Sequence, residues 1–203
     1  MVEILRQEII TGVLAPGQRL VERELCERLD VSRNTLREAC RQLEAEGFLA
    51  IPPHKGPVVA VLSERDARGF FEVREALECL AVRLFVERAD GGMVAQLRQV
   101  TNRLRAAHES GNVRAMLEVK TTFYDVLYAG ADNDVLRHQA ALLRGRLAGL
   151  RARSLAREGR PQTSIDEIDE VVSAIEARDS TRASELWCAH IRSAARSALD
   201  EQG

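Results

Sequence analysis

The sequence predicts a mainly α-helical chain in two parts: three short helices closed by a small β-hairpin, then an all-α antiparallel bundle of longer helices. Three observations lead to this reading. Turn residues cut residues 1–62 into short segments, strand signals are confined to residues 48–62, and apolar residues recur at helical spacing through residues 63–203. The two parts are read as a domain of residues 1–62 and a domain of residues 63–203, each long enough to bury its own core.

In the first part Val2, Leu5, Ile9 and Ile10 mark a short amphipathic helix that Gly12 closes. Ala15-Pro16-Gly17 is a turn, and a second helix is expected from about Val21 to Leu29. Asp30-Val31 makes a tight connection. Ser32 is a good N-cap for a third helix through about Glu46, which Gly47 ends. Phe48–Ile51 and Pro57–Leu62, separated by Pro52-Pro53-His54-Lys55-Gly56, read as a hairpin. Three helices followed by a hairpin is the order of a winged helix-turn-helix.

In the second part Ser63 and Asp66 form a start resembling a capping box. Helices are expected over 64–89, with a break near Gly69 left open, and over 92–109, 112–129, 133–157, 162–178 and 180–200. Breaks are placed at Gly91-Gly92, Gly111-Asn112, Asp132, Gly159-Arg160-Pro161 and Asp179-Ser180. Connections this short favour antiparallel neighbours, hence a bundle.

Composition narrows the class. Apolar residues make up 45% and charged residues 30%, and no apolar run nears the roughly 18 residues that cross a bilayer. MVEILRQEIITG lacks the uninterrupted apolar core of a secretory signal, so a soluble cytoplasmic protein with no membrane partner is expected. Cys26, Cys40, Cys79 and Cys188 are far apart and are read as reduced core residues, with no zinc or redox pair indicated. The net charge of −2 argues against a nucleic-acid partner unless basic residues are concentrated locally.

They are so concentrated on the third helix. Arg33, Arg37 and Arg41 recur every four residues and share one face, while Leu36, Ala39, Cys40 and Leu43 supply the opposite, buried side. Ser32, Asn34 and Thr35 offer hydroxyls and an amide to phosphates or base edges, and arginine can grip guanine with two hydrogen bonds. The same face also suits plain solvation, with Glu38 and Glu44 as local ion-pair partners.

The run PGQRLVERELCERLDVSRNTLREACRQLEAEGFL resembles the N-terminal domain of the GntR family of bacterial regulators over residues 3–62. Cys26, Asn34-Thr35-Leu36 and Cys40 depart from the family's usual residues without removing a groove-facing charge. The resemblance implies a double-stranded DNA operator as partner. It implies that Arg23 contacts backbone or an adjacent base, that Arg33 and Arg37 read guanines, and that Gly56 lets the wing approach the minor groove.

FFEVREALECLAVRLFVERA resembles the opening helix of the FadR-like, or FCD, C-terminal domain, with Arg74 and Glu78 as its recurring pair. FYDVLYAGADNDVL and EIDEVVSAIEARDSTRASELWCAHI match the same subgroup in spacing. Many such domains hold a divalent metal with one aspartate and three histidines. Carried over position by position, these become Lys120, Tyr124, Ile168 and His190, so one imidazole and an ammonium stand where four donors are needed. No metal and no other cofactor is therefore expected. Lys120 and Tyr124 share a helix face, and with His190 and Arg74 they are candidates to bind a small anionic effector directly. A different reading leaves Lys120 at the surface or paired with an acid, and Tyr124 and His190 as core residues.

Weaker candidates remain. His54 in the wing could touch phosphate but also suits solvent, and Trp187 follows the core spacing of the last helix. Arg144, Arg146, Arg151, Arg153 and Arg157 are read as a basic run on one helix, a solvated face or dimer contact.

The expected function is a ligand-responsive, homodimeric transcriptional regulator that binds a pseudo-palindromic operator and is not an enzyme. The alternatives are a ligand-binding protein or a metal-dependent enzyme whose DNA-binding domain is vestigial. The chain lacks paired Glu-x-x-His motifs, a nucleophile elbow and a phosphate-binding glycine loop.

Overall fold

The computed structural model describes residues 1–53, 55–155 and 157–199. His54 and the side chains of Arg151 and Arg153 lie outside the described residues.

In the first part each helix begins or ends where local chemistry dictates. Helix α1 (Val2–Ile10) buries Leu5, and α2 (Glu22–Leu29) ends at Asp30 in the left-handed region (φ 50°), which aspartate tolerates. Helix α3 (Arg33–Ala45) starts on Ser32, whose Oγ accepts the Thr35 N–H at 3.1 Å. Strands β1 (Leu49–Ala50) and β2 (Val58–Val59) pair antiparallel, with Leu49 opposite Val59 and Ala50 opposite Val58. A bridge from Arg19 to Val58 brings the segment before α2 alongside the hairpin. Leu5, Leu20, Leu25, Leu36, Leu43, Phe48 and Val59 make one core beneath the exposed face of α3. Burying each such side chain contributes about 1.5–3 kcal/mol before the entropy cost of ordering the chain.

The second part is helical throughout: α4 (Glu64–Arg88), α5 (Gly91–Glu109), α6 (Val113–Gly130), α7 (Asp134–Arg146), α8 (Ala148–Leu155), α9 (Arg160–Glu176) and α10 (Ser180–Leu199). Asp90 and Asn112 cap α5 and α6 through the N–H groups of Met93 and Ala115. Ser63 accepts the Asp66 N–H at 3.1 Å while its hydroxyl donates to the Asp66 carboxylate, which is the anticipated capping arrangement. Helix α5 packs against α6 and α9, and α9 against α10. Arg98 clamps α5 to α9 through Asp169 and Glu176. Gly130 lets α6 lie against Phe85 of α4, since a Cβ there would lie 2.3 Å from the Phe85 ring.

The chain divides into two compact units, residues 1–67 with 144–149 and residues 68–143 with 150–203. That differs from a single division at 62/63, because the start of α4 and a short stretch around Leu147 are grouped with the first unit.

Helix α4 runs unbroken through Gly69, where the sequence left a break open. Four sequence expectations need correction. The helix expected over 133–157 is two, α7 and α8, separated at Leu147, where Gly145 and Gly149 weaken helical preference on both sides. The basic run is accordingly spread over α7, α8 and the loop holding Arg157, not carried on one helix. Helix α9 starts at Arg160, ahead of Pro161, because the missing N–H of proline is harmless in a first turn. Finally, Cys79 of α4 and Cys188 of α10 form a disulfide with Cα atoms 5.8 Å apart, so these two are not separate reduced thiols. Cys26 and Cys40 remain free, and burial pushes the Cys40 thiol up to about 11, which keeps it protonated and unreactive.

Candidate nucleic-acid interface and ligand cavity

The first unit presents an exposed polar face at the start of α3. Ser32, Arg33, Asn34, Thr35 and Arg37 are all exposed there, as are Arg41 on the same helix and Arg23 on α2. Leu36, Ala39, Cys40 and Leu43 point the other way and are buried, so core packing fixes which side chains face outward. The Ser32 hydroxyl also lies 2.9 Å from that of Thr35, which holds both at the helix start. Gly56 sits in the turn of the wing at φ +73°, a conformation that favours glycine.

Two contacts on this face escaped sequence reading. Arg37 is bound by Glu22, the first residue of α2, with Nε 3.1 and 3.2 Å from the two carboxylate oxygens and Nη2 3.1 Å from one of them. Glu44, expected to pair with the arginines, instead accepts the Ile51 N–H at 3.0 Å and so ties α3 to the hairpin. Neither partner is predictable from helical spacing, because both depend on how elements cross in three dimensions.

The second unit holds a cavity of about 20 Å³ at the convergence of five helices. Phe71 and Arg74 come from α4, Lys120 and Tyr124 from α6, Ser154 and Leu155 from α8, Arg160 and Ser164 from α9, and His190 and Ala194 from α10. Arg74, Lys120, Tyr124 and His190, selected from separate parts of the sequence, thus line one cavity. Arg160, Ser164 and Glu167 were not selected. The sequence reading puts Arg160 in a break, whereas α9 starts ahead of Pro161 and carries Arg160 on the helix.

The polar groups form two linked clusters. Arg74, 3% exposed, gives Nε to Glu78 at 2.9 Å and Nη2 to the Tyr124 hydroxyl at 2.6 Å, and Trp187 Nε1 donates to Glu78 at 3.1 Å. Burial opposes charge on Arg74, but Glu78, Tyr124 and Tyr128 more than offset it and raise its pKa. In the second cluster Glu167 receives Arg160 Nη1 at 2.9 Å and His190 Nδ1 at 2.6 Å, while Lys120 Nζ donates to Ser164 Oγ at 2.7 Å. Burial opposes ionisation of Glu167, yet His190, Ser193 and Arg160 hold its pKa at about 2. Burial, helped by the charges of Lys120 and Arg160 and opposed by Glu167, pushes His190 down to about 4, so it is neutral near pH 7.

The residues at the positions of the family's metal ligands do not fit a metal. Lys120 contributes a cation, Ile168 is a buried hydrocarbon, and the Tyr124 hydroxyl is engaged with Arg74. Among the described residues no group of three or more His, Cys, Asp or Glu side chains could hold a metal ion.

A capped helix presenting arginines beside a small wing, joined in one chain to a helical unit with a cavity lined by buried polar side chains, defines a DNA-binding regulator with a ligand-sensing domain. Comparison with known proteins agrees. Residues 1–59 match the bacterial regulatory proteins of the gntR family and residues 70–193 match the FCD domain. The chain therefore belongs to the GntR family of transcriptional regulators, in the group that carries an FCD effector-binding domain. It is 26% identical over 189 residues to the HTH-type transcriptional repressor RspR of Escherichia coli, covering 93% of this chain and 83% of that protein. It is 38% identical over 123 residues to the Nta operon transcriptional regulator of Aminobacter aminovorans, covering 60% of this chain and 57% of that one. In fold it is similar to McbR/YncC of E. coli, with a TM-score of 0.80 at 23% identity over 94% of this chain and 91% of the other. No helix among the described residues is long and apolar enough to cross a membrane.

Proposed function

We propose that this chain is a ligand-responsive regulator that binds a pseudo-palindromic operator as a homodimer in the cytoplasm, and that a small anionic effector in the cavity modulates that binding. Arg33 and Arg37 read guanines in the major groove. Ser32, Asn34, Thr35 and Arg23 fix the helix against phosphates and neighbouring bases, and Gly56 brings the wing to the minor groove. The observation that carries this reading is the exposure of the whole Ser32–Arg37 polar set on a helix start whose other side is locked into the core. The overall charge of −2 is no obstacle, because groove contacts depend on local arginines.

Effector control requires only that the ligand bind better to one arrangement of the dimer than to another, with couplings of about 1–3 kcal/mol being usual. Lys120, Arg74, Tyr124 and His190 bind the effector, and cations facing the cavity from three helices favour a negatively charged one. The relative named a repressor favours repression as the direction of control. Native mass spectrometry of the protein with a duplex carrying its selected site tests the assembly. Two chains per duplex, with a small anion lost on activation, are expected; one chain per duplex would overturn the dimeric reading.

A further inference from the structure

Cys79 and Cys188 are 109 residues apart in the chain, yet α4 and α10 bring their Cα atoms to 5.8 Å and the two are bonded. In the cytoplasm, where the function proposed above places the chain, small thiols keep cysteines reduced. A disulfide that forms there is commonly transient and redox-sensing.

Access separates the two sulfurs. Cys188 is half-buried, whereas Cys79 is only 9% exposed. An oxidant or a thiol from solution therefore reaches Cys188, and Cys79 stands ready to resolve what forms on it. Cys26 and Cys40 are both free, and burial holds the Cys40 thiol protonated.

The bond lies among contacts that hold α10 to α4. Glu78 and Trp187, the residues just before the two cysteines, are joined by a hydrogen bond of 3.1 Å. Ser184 Oγ donates to the Cys79 carbonyl at 3.3 Å, and Arg192 pairs with Glu75 one turn away on each helix. Helix α4 is also continuous from the first unit into the second, its opening turn through Ala67 grouping with the DNA-reading part. A change in the grip of α10 thus acts on a helix that both units share.

We propose that Cys79 and Cys188 are a reversible redox switch that alters DNA affinity, with hydrogen peroxide as oxidant and a small thiol or dithiol as reductant. This goes beyond the effector reading and rests only on the DNA-binding part of the proposed function. In oxidation the Cys188 thiolate attacks a peroxide oxygen and the O–O bond breaks. The products are a sulfenic acid and a hydroxide that takes up a proton to become water. The Cys79 thiolate then attacks the Cys188 sulfur, the S–S bond forms, and the displaced hydroxide is protonated to a second water. Two thiols lose two electrons and one peroxide gains them. In reduction a thiolate of the reductant attacks the Cys188 sulfur and Cys79 leaves as thiolate. A second reductant thiol then breaks the mixed disulfide, and the reductant ends as its own disulfide. Once the bond is open, α10 is held to α4 by noncovalent contacts alone.

The test uses the full-length protein, equilibrated without oxygen in glutathione buffers of stepped reduced-to-oxidised ratio, or treated with hydrogen peroxide and then dithiothreitol. Alkylation and peptide mapping follow each cysteine. Fluorescence anisotropy follows affinity for random-sequence duplex and for the duplex that the protein selects. Cys79 and Cys188 should titrate together as one pair across the glutathione series while Cys26 and Cys40 stay open to alkylation in the unfolded chain. Reduced and oxidised protein, both folded by circular dichroism, should differ in DNA affinity by about fivefold or more. Dithiothreitol should return the peroxide-treated protein to its reduced affinity. Cys188→Ser and Cys79→Ser should bind DNA as the reduced protein does and ignore peroxide; if either misfolds, the reversal on wild type decides.

A bond that survives the most reducing glutathione buffer in the folded protein overturns the switch. So does equal DNA affinity in the two states, a change that maps to Cys26 or Cys40, or a peroxide response that persists in folded Cys188→Ser. Equal binding in both states leaves the DNA-reading function standing, whereas binding to no duplex in either state contradicts that function and the switch together.

Discussion

Arg37, at the centre of the exposed face of α3, is held by Glu22 from the start of α2, with its Nε about equidistant from the two carboxylate oxygens at 3.1 and 3.2 Å. Both residues keep substantial access to solvent, so the pair is easily exchanged for another partner. In the unbound protein Glu22 fixes the rotamer of Arg37. Under the proposed function Arg37 exchanges Glu22 for a guanine on binding DNA, and a carboxylate brought near phosphates repels them.

Replacing Glu22 with Gln should therefore raise affinity for random-sequence duplex a few-fold and narrow the ratio between operator and random DNA. Fold stability should change little, because the pair is exposed. Fluorescence anisotropy at two salt concentrations with both duplexes checks this. Unchanged affinity for random DNA would mean that Glu22 does not oppose phosphate.

Stability should fall as the solution is acidified, in two overlapping steps. His190 titrates near 4 in the folded chain against 6.5 in a free imidazole, so the unfolded state takes up the proton first. Its contribution is complete above pH 6.5 and is lost as pH falls from 6.5 to 4. Glu167, held at about 2 against 4.5, contributes fully above pH 4.5 and is lost as pH falls toward 2. The His190 step is on the order of 3 kcal/mol. Urea midpoints between pH 7.5 and 4 measure it, and His190→Gln should flatten the upper part of the curve; a midpoint independent of pH would contradict a neutral, buried His190.

The buried Arg74–Glu78 pair should be far more sensitive to loss of one member than any surface pair. Glu78→Ala strands the guanidinium and removes the acceptor of Trp187 Nε1. A loss of about 3–5 kcal/mol is expected. Arg98→Ala, at the partly exposed α5–α9 clamp, should cost much less. Denaturant unfolding of the two variants gives the comparison, and equal losses would show that burial does not govern the Arg74 pair.

The Cys79–Cys188 disulfide ties α4 to α10 beside the Glu78–Trp187 hydrogen bond. Thiol titration of protein unfolded without reductant should find two free thiols, Cys26 and Cys40. Reduction should lower the melting temperature, since a link spanning 109 residues restrains the unfolded chain by about 4–5 kcal/mol in the chain-entropy view. Four free thiols in protein purified without reductant would contradict the bond.

Much of this could be read from the residues because the signals are local. Ser32 caps α3 as its chemistry suggests, Ser63 and Asp66 open α4, and the glycine and prolines of the wing separate two strands that fall within the two expected stretches. What escaped depends on elements meeting across long separations. The Glu22–Arg37 pair joins two helices, and the Cys79–Cys188 partnership cannot be deduced from cysteine spacing. Arg160 escaped for a different reason: proline was read as a break, when at the first turn of α9 it is a start. That one misreading hid a cation of the cavity, while Arg74, Lys120, Tyr124 and His190 were visible in the sequence.

Selection of bound fragments from randomised duplex DNA, run side by side on wild type and on the Arg33→Ala/Arg37→Ala double variant, tests the DNA-reading face most directly. Wild type should enrich a two-fold symmetric sequence with guanines in each half, and the folded double variant should enrich none. Enrichment of the same sequence by both proteins, or of no sequence by wild type, would contradict the assignment of these two arginines.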